Sequence, residues 1–375
     1  MTDLSHLFPG QPHANYLAHR EEIDAAIRRV LDSGWYILGQ EVTAFEREFA
    51  EFLGAAHAVG VANGTDALEL ALRALGIGAG DTVLTVAHTA VATVAAIERT
   101  GAEALLVDIA PDTFTLDPAR LEAAIRASAE RRFKAVVVVH LYGYPADLPA
   151  ILAIAKQHGL RVIEDCAQAH GAALDGRNVG TWGDLAAFSF YPTKNLSALG
   201  DGGAVVTSDA ALAARVAELR QYGWKARYIS DTAGMNSRLD ELQAAILRVK
   251  LPRLRADNQR RRDIAALYAK HIANAAITLP PVRAGAEHVY HQFVVRTPRR
   301  DALMTALKSH GVPTAIHYPQ PVHTQPAYRD RIAHGAGGLA ESERACREVL
   351  SLPMHPQLSD EAVIFAAQRV NDWQP

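Results

Sequence analysis

Two cysteines in 375 residues, Cys166 and Cys346, cannot build a disulfide framework, and neither stands in a C-x-x-C pair of the kind that holds zinc. No metal centre is expected. Nowhere do about 18 uncharged apolar residues stand together, and the start, MTDLSHLFPGQPHANY, has no cationic stretch before an apolar run. Neither a membrane span nor a signal peptide is therefore expected. A formal charge of -3 gives no basic field to attract nucleic acid or an acidic membrane. Fixed-period repeats and low-complexity tracts are also missing. What is left is an ordinary globular chain, long enough for one large domain and a smaller one, with a reducing cytoplasm as the expected compartment.

From about residue 57, short apolar runs alternate with helical patterns. HAVGVA precedes TDALELALRAL, DTVLTV precedes TAVATVAAIERT, EALLVDI precedes PARLEAAIRASAE, KAVVVVHL precedes LPAILAIAKQHG, and LRVIED follows. Runs that are apolar throughout are buried on both faces, so this alternation predicts an α/β fold with a mainly parallel sheet flanked by helices. Ligands of such sheets lie beyond the carboxyl ends of the strands. After LAAFSF and GGAVVTS, a helical pattern over 238–274 reads as one long connecting helix. It divides a large domain, 1–237, from a small C-terminal α/β domain, 275–375, in which HVYHQFVVRT and VPTAIHY read as strands and ALMTALKSHG, SERACREVL and DEAVIFAAQRV as helices.

Three segments carry chemistry. Glu164 and Asp165 follow the apolar run LRVI and stand at a strand's carboxyl end, where a buried acid needs a cationic or hydrogen-bonding partner. Such a carboxylate suits the ring nitrogen of a pyridine cofactor, which it keeps protonated as an electron sink; Asp165 reads equally as a helix cap. Lys194, in SFYPTKNLSALGDGGAVV, lies among small turn-forming residues rather than on a helix face. A Schiff-base lysine must be held close to a carbonyl and partly desolvated, while a lone loop lysine is more often a solvated charge. In ANGTDALELAL, Gly64 and Thr65 fall where a strand meets an amphipathic helix, a natural anion site, although Thr65 or Asp66 also reads as a plain N-cap.

Taken together, NGTDAL, EDCAQAHGA, SFYPTKN and GDGGAVVT resemble the sugar nucleotide aminotransferases of the DegT/StrS type, a branch of the fold type I enzymes that use pyridoxal 5'-phosphate. Similarity continues from SGWYILGQEVTAFEREFAEF through GMNSRLDELQAAILRVKL to VPTAIHYPQPVHTQPAY and LSLPMHPQLSDEAV. The resemblance implies a large domain with a seven-stranded type of sheet. It makes Lys194 the lysine that holds the cofactor and moves the proton, and Asp165 the partner of the pyridine nitrogen. Gln168 is expected at the cofactor's phenolic oxygen and His88 stacked on its ring; without the resemblance, His88 reads as a core histidine. Phosphate contacts are expected from Gly64, Thr65, Ser189 and Asn236, the last reaching in from the second subunit of a homodimer, or else capping a helix that starts at Ser237 or Arg238. A subgroup of the family replaces the lysine by histidine and removes a hydroxyl instead; this chain keeps lysine.

The finer resemblance is to enzymes that aminate C3 of a dTDP-linked 3-keto-6-deoxyhexose, with L-glutamate as donor, and rests above all on IHYPQPVHTQPAY. His317, Tyr318 and His323, in a loop stiffened by Pro313, Pro319 and Pro321, have the mixed polar and aromatic character that a sugar needs. Tyr191, Tyr222, Trp224, Arg227 and Tyr228 are further candidates for the sugar and its diphosphate, or for packing against the second subunit. The alternatives are amination at C4 of a dTDP-, UDP- or GDP-linked 4-keto sugar, and a regulatory protein that binds the cofactor without turnover.

Overall fold

The computed structural model describes residues 7–375. Its central feature is an eight-stranded sheet in the spatial order 57–61, 203–207, 185–189, 161–165, 133–139, 82–86, 103–107 and 333–334. Strand 203–207 runs antiparallel to both neighbours and every other pairing is parallel. The seven expected strands are present, and Ala333–His334 adds an eighth against Leu105 and Leu106. The chain beyond 275 thus returns to the large sheet.

Side-chain alternation explains the layering. In Phe133–Val139, Val136 and Val138 enter one apolar core while Ala135 and Val137 enter the other. On the first face lie helices Gln40–Leu53, Pro118–Ala127, Leu148–His158 and Glu241–Lys250, through Phe45, Phe49, Leu121, Ile151 and Leu247. On the second lie Gly64–Ala74, Val91–Arg99 and Ala210–Leu219, through Leu68, Val94 and Val216. A third core joins helices Leu254–His271, Arg300–Ser309 and Asp360–Asp372 to the antiparallel pair Phe293–Arg296 and Val349–Leu352; Leu7 is also buried there.

Two expected elements change. The single helix over 238–274 is Glu241–Lys250, a 3₁₀ turn at Leu251–Arg253, and Leu254–His271, because Pro252 has no N–H to donate to the preceding turn. The strand expected at VPTAIHY shrinks to one bridge between Ala315 and Ser351. Ala315 meets one edge of Val349–Leu352, whose other edge pairs with Phe293–Arg296, and that strand comes from VL of SERACREVL, whose helical part ends at Glu348.

Candidate active site

Asp165 ends its strand fully enclosed, with one carboxylate oxygen accepting from the Ala167 N–H at 3.2 Å and the other from the Thr93 hydroxyl at 2.9 Å. No helix begins there, so its role is not that of a helix cap. Burial pushes its carboxyl upward, opposed by those two hydrogen bonds and by the charge of Lys194. The adjacent Glu164 points elsewhere. It accepts from the N–H groups of Gly180, Trp182 and Gly183 and from the His140 ring, each within 3.0 Å. His140 Nδ1 takes the Ala146 N–H, so Nε2 carries the proton toward Glu164. His140, Glu164 and Cys166 come close enough to hold a metal, yet Glu164 is already satisfied by four donors and the thiol is pushed well above its ordinary range by burial.

Lys194 sits in the turn after the strand Leu185–Ser189, its N–H bonded to Tyr191. Burial lowers its amine from 10.5 to about 8, against the opposing pull of Asp165. Side chains from distant segments pin the turn. Asn195 donates to Asn258 and to the Val289 carbonyl, the buried Lys250 donates to the Ser197 carbonyl, and Gln243 accepts from the Leu199 N–H. His170, His291 and His317 all feel the Lys194 charge, and each is held neutral chiefly by burial.

Beside this pair stands the amino end of helix Gly64–Ala74. Asn63, rather than Thr65 or Asp66, is the cap: its side chain accepts from the Asp66 N–H at 2.9 Å. The Gly64 and Thr65 amides remain outside the helix's own bonding. The turn is packed against the sheet so closely that a Cβ at Gly64 would lie 2.7 Å from Ser189 Cβ, and one at Gly203 would lie 2.4 Å from the Asn63 carbonyl oxygen. Gly203→Ala is accordingly expected to cost about 1–3 kcal/mol and to loosen this corner. The midpoint of urea unfolding checks it; an unchanged midpoint would show that the backbone yields without strain.

Gln168 is nearly buried, with its carbonyl oxygen taking the Tyr142 N–H at 2.7 Å and its amide nitrogen donating to the Tyr318 hydroxyl at 3.0 Å. Burial and the charge of Asp165 raise the Tyr318 phenol to about 12, with Gln168 opposing. His317 Nδ1 lies 2.9 Å from the Ser351 hydroxyl. Asp165, Lys194, Gln168, His317 and Tyr318 therefore converge.

Other expected residues fall elsewhere. His88 is fully buried, with Nδ1 3.1 Å from Cys346 Sγ and Nε2 2.7 Å from the Tyr142 hydroxyl. Its two ring nitrogens thus join Cys346 to Tyr142, and the open surface of that segment belongs to Ala90 and Val91. His323 pairs with Glu343 at 3.1 Å and, among the described residues, has no hydrogen bond or ring contact with Lys194, Asp165 or Gln168. Tyr222 and Arg227 lie on an exposed hairpin, Trp224–Ala226 with Ile229–Ser230, whose contacts are local: Arg227 covers the Tyr228 ring and Tyr222 meets Trp224. Tyr191 is exposed too. Asn236 is exposed and bridges Gln221; the next helix starts at Glu241, so Asn236 does not cap it. Thr93 and Tyr142 are absent from the sequence reading. Thr93 was within reach of it, standing one turn into a helix that follows a strand's carboxyl end.

The chain is similar to known proteins over nearly its whole length. The sequence model of the DegT/DnrJ/EryC1/StrS aminotransferase family matches residues 18–371. A dTDP-3-amino-3,4,6-trideoxy-alpha-D-glucose transaminase of Streptomyces venezuelae is 48% identical over 96% of this chain and 94% of its own. A dTDP-3-amino-3,6-dideoxy-alpha-D-galactopyranose transaminase of Aneurinibacillus thermoaerophilus is 49% identical over 95% and 96%. The crystal structure of S. venezuelae DesV in complex with a ketimine intermediate superposes with a TM-score of 0.93 at 48% identity, covering 97% of each chain.

Proposed function

The chain belongs to the DegT/DnrJ/EryC1/StrS aminotransferase family, and from that premise we propose that it transfers the amino group of L-glutamate to C3 of a dTDP-linked 3-keto-6-deoxyhexose. The observation that carries this reading is the pairing of a desolvated Lys194 amine with a buried, doubly hydrogen-bonded Asp165 at the carboxyl ends of the strands. The carbon and the carrier follow the relatives that act on dTDP-3-amino sugars.

Pyridoxal 5'-phosphate fits the donor set: a carboxylate for the ring nitrogen, an amine for the aldehyde, and the Gly64 and Thr65 amides with the Ser189 hydroxyl for the phosphate. When bound, it supplies an electron sink that acidifies the hydrogen on the carbon bearing the amine. The hydrogen bonds from Thr93 and Ala167 favour the charged form of Asp165 against the upward push of burial, and as a carboxylate it would keep a proton on the pyridine nitrogen of the bound cofactor. Lys194 Nζ holds the cofactor between turnovers and carries the proton when the amino group moves. Gln168 offers its second amide hydrogen to the phenolic oxygen, while Tyr318 and His317 orient the sugar above them. Asn236, exposed on this chain, serves the partner's phosphate in a homodimer. Light scattering should then return twice the chain's 40.5 kDa; the mass of a single chain would remove Asn236 from the site.

The pH dependence follows from Lys194. Only the neutral amine accepts a proton, and its value of about 8 leaves a minority neutral below that pH. With Lys194 released from the cofactor, the rate of the half-reaction is expected to rise about tenfold per pH unit below pH 8 and to level above it. Single-turnover rates across that range test this, and a flat profile would remove Lys194 as the titrating base.

The decisive experiment incubates the holoenzyme and L-glutamate with a dTDP-3-keto-6-deoxyhexose or its 4-keto isomer and follows sugar nucleotide masses. An amino sugar from the 3-keto sample alone is expected. Product from the 4-keto sample alone overturns the choice of carbon, and none from either overturns the dTDP assignment or points to a cofactor-binding regulator.

A further inference from the structure

Tyr142 lies in HLYG, at the turn that follows the strand Phe133–Val139, and holds φ +61°, a left-handed conformation that bulky side chains rarely adopt. Such a conformation persists only where the surroundings over-determine it, and here four separate segments do so. Its N–H donates to Gln168 Oε1 and its carbonyl takes the Gln292 N–H. Its hydroxyl donates to the His317 carbonyl and lies 2.7 Å from His88 Nε2. The next residue is pinned as tightly, because a Cβ at Gly143 would lie 2.7 Å from Val289 Cγ2 and 2.9 Å from the Gln168 carbonyl oxygen.

Proton counting orients the chain of bonds. The single hydroxyl hydrogen of Tyr142 goes to the His317 carbonyl, which can only accept. His88 Nε2 must then be the donor to the phenol. A neutral imidazole leaves Nδ1 as an acceptor, and the Cys346 thiol, 3.1 Å away, donates to it. Every hydrogen has one place to go, from Cys346 through His88 and Tyr142 to the backbone between His317 and Tyr318. The segment 317–318 is therefore anchored at two points: at its backbone by the Tyr142 phenol, and at the Tyr318 side chain by Gln168, whose amide orientation Tyr142 also sets.

We propose that Tyr142 is a positioning residue that fixes the His317–Tyr318 segment over the site and sets the orientation of the Gln168 amide, with His88 and Cys346 behind it fixing the direction of its hydroxyl. It touches neither cofactor nor sugar; it acts through residues that do. Its effect on the keto sugar rests on the function proposed above, whereas its effect on the segment does not.

Tyr142→Phe separates the two. The ring keeps its packing against Phe114 and His88, and the backbone bond to Gln168 remains. Only the hydroxyl is lost, and with it the bonds to the 317 carbonyl and to His88 Nε2. Hydrogen exchange of peptides spanning 313–322, in holoenzyme without sugar, is expected to accelerate about tenfold, with sheet peptides unchanged. The KM for the keto sugar nucleotide should rise by a similar factor, while the half-reaction with L-glutamate stays within about twofold of wild type. Unchanged exchange in 313–322, or an equal slowing of both half-reactions, overturns the proposal. If Tyr142→Phe does not fold, His88→Gln, which leaves the phenol but not its imidazole donor, is measured in the same way. Should wild-type protein aminate neither keto sugar, the functional reading fails, and the exchange comparison still decides the role of Tyr142.

Discussion

Lys194→Ala is expected to slow amino transfer by more than about 10⁴-fold while leaving the protein folded and able to bind cofactor. The size of the effect comes from the double use of one amine. The alanine variant loses the covalent anchor and also a basic side chain whose value, about 8, is close to working pH. The neighbouring histidines do not substitute, since burial, the larger cause and one that the substitution leaves in place, holds His170 near 3 and His317 near 4 in the wild type, too weakly basic to take the proton. Folding should not suffer. Removing an ammonium whose folded value lies below its unfolded one removes a cost that the folded state bears at pH 7. The check pairs a single-turnover assay by mass spectrometry with phosphate analysis of dialysed protein. Normal turnover by the alanine variant would remove Lys194 from the reaction, and loss of cofactor together with turnover would show that the anchor outweighs the phosphate contacts.

Asp165→Asn is expected to lower the rate by about 10²–10³-fold with little loss of stability. The substitution is close to isosteric, and the hydrogen bonds around it can be remade. The amide oxygen takes the Ala167 N–H, and the amide nitrogen donates to Thr93 Oγ1, whose hydrogen then turns toward Thr89 Oγ1 3.0 Å away. What is lost is the negative charge that keeps the pyridine nitrogen protonated. The stability sign follows from the direction of the shift. Burial raises the carboxyl's folded value above its unfolded one, so ionisation at neutral pH costs the folded state, and asparagine removes that cost. A melting temperature at pH 7 equal to or above wild type, with the rate reduced, is the expected pair of results. A variant that is both slow and markedly less stable would make Asp165 structural rather than electronic.

The sheet was legible because its signal is local. VVVV within Phe133–Val139, VI ahead of Glu164 and LAAF ahead of Ser189 are apolar without alternation, as a strand covered on both faces requires. Pro252 is equally visible in the sequence and explains the break in the expected long helix. The surroundings of His88 were not legible, for a different reason. Its partners, Cys346 and Tyr142, lie 258 and 54 residues away, and no local pattern separates a histidine that faces a ligand from one that joins two buried side chains. The partner of His323 was hidden in the same way, since Glu343 belongs to a helix of its own.

The sequence by itself therefore determined the layers, the succession of the main strands along the chain, and the places of Asp165 and Lys194 just after apolar runs. Those follow from side-chain periodicity and from the short-range rule that an apolar run must be buried. Only the tertiary structure decided that Thr93 and Ala167 hold the carboxylate, that Lys250, Gln243 and Asn258 pin the lysine turn, and that Tyr142 joins Gln168 to the 317–318 segment. These are contacts between segments far apart in the chain. Their geometry exists only once the cores have packed, because hydrogen bonds of about 3 Å depend on positions that no residue's neighbours in sequence specify.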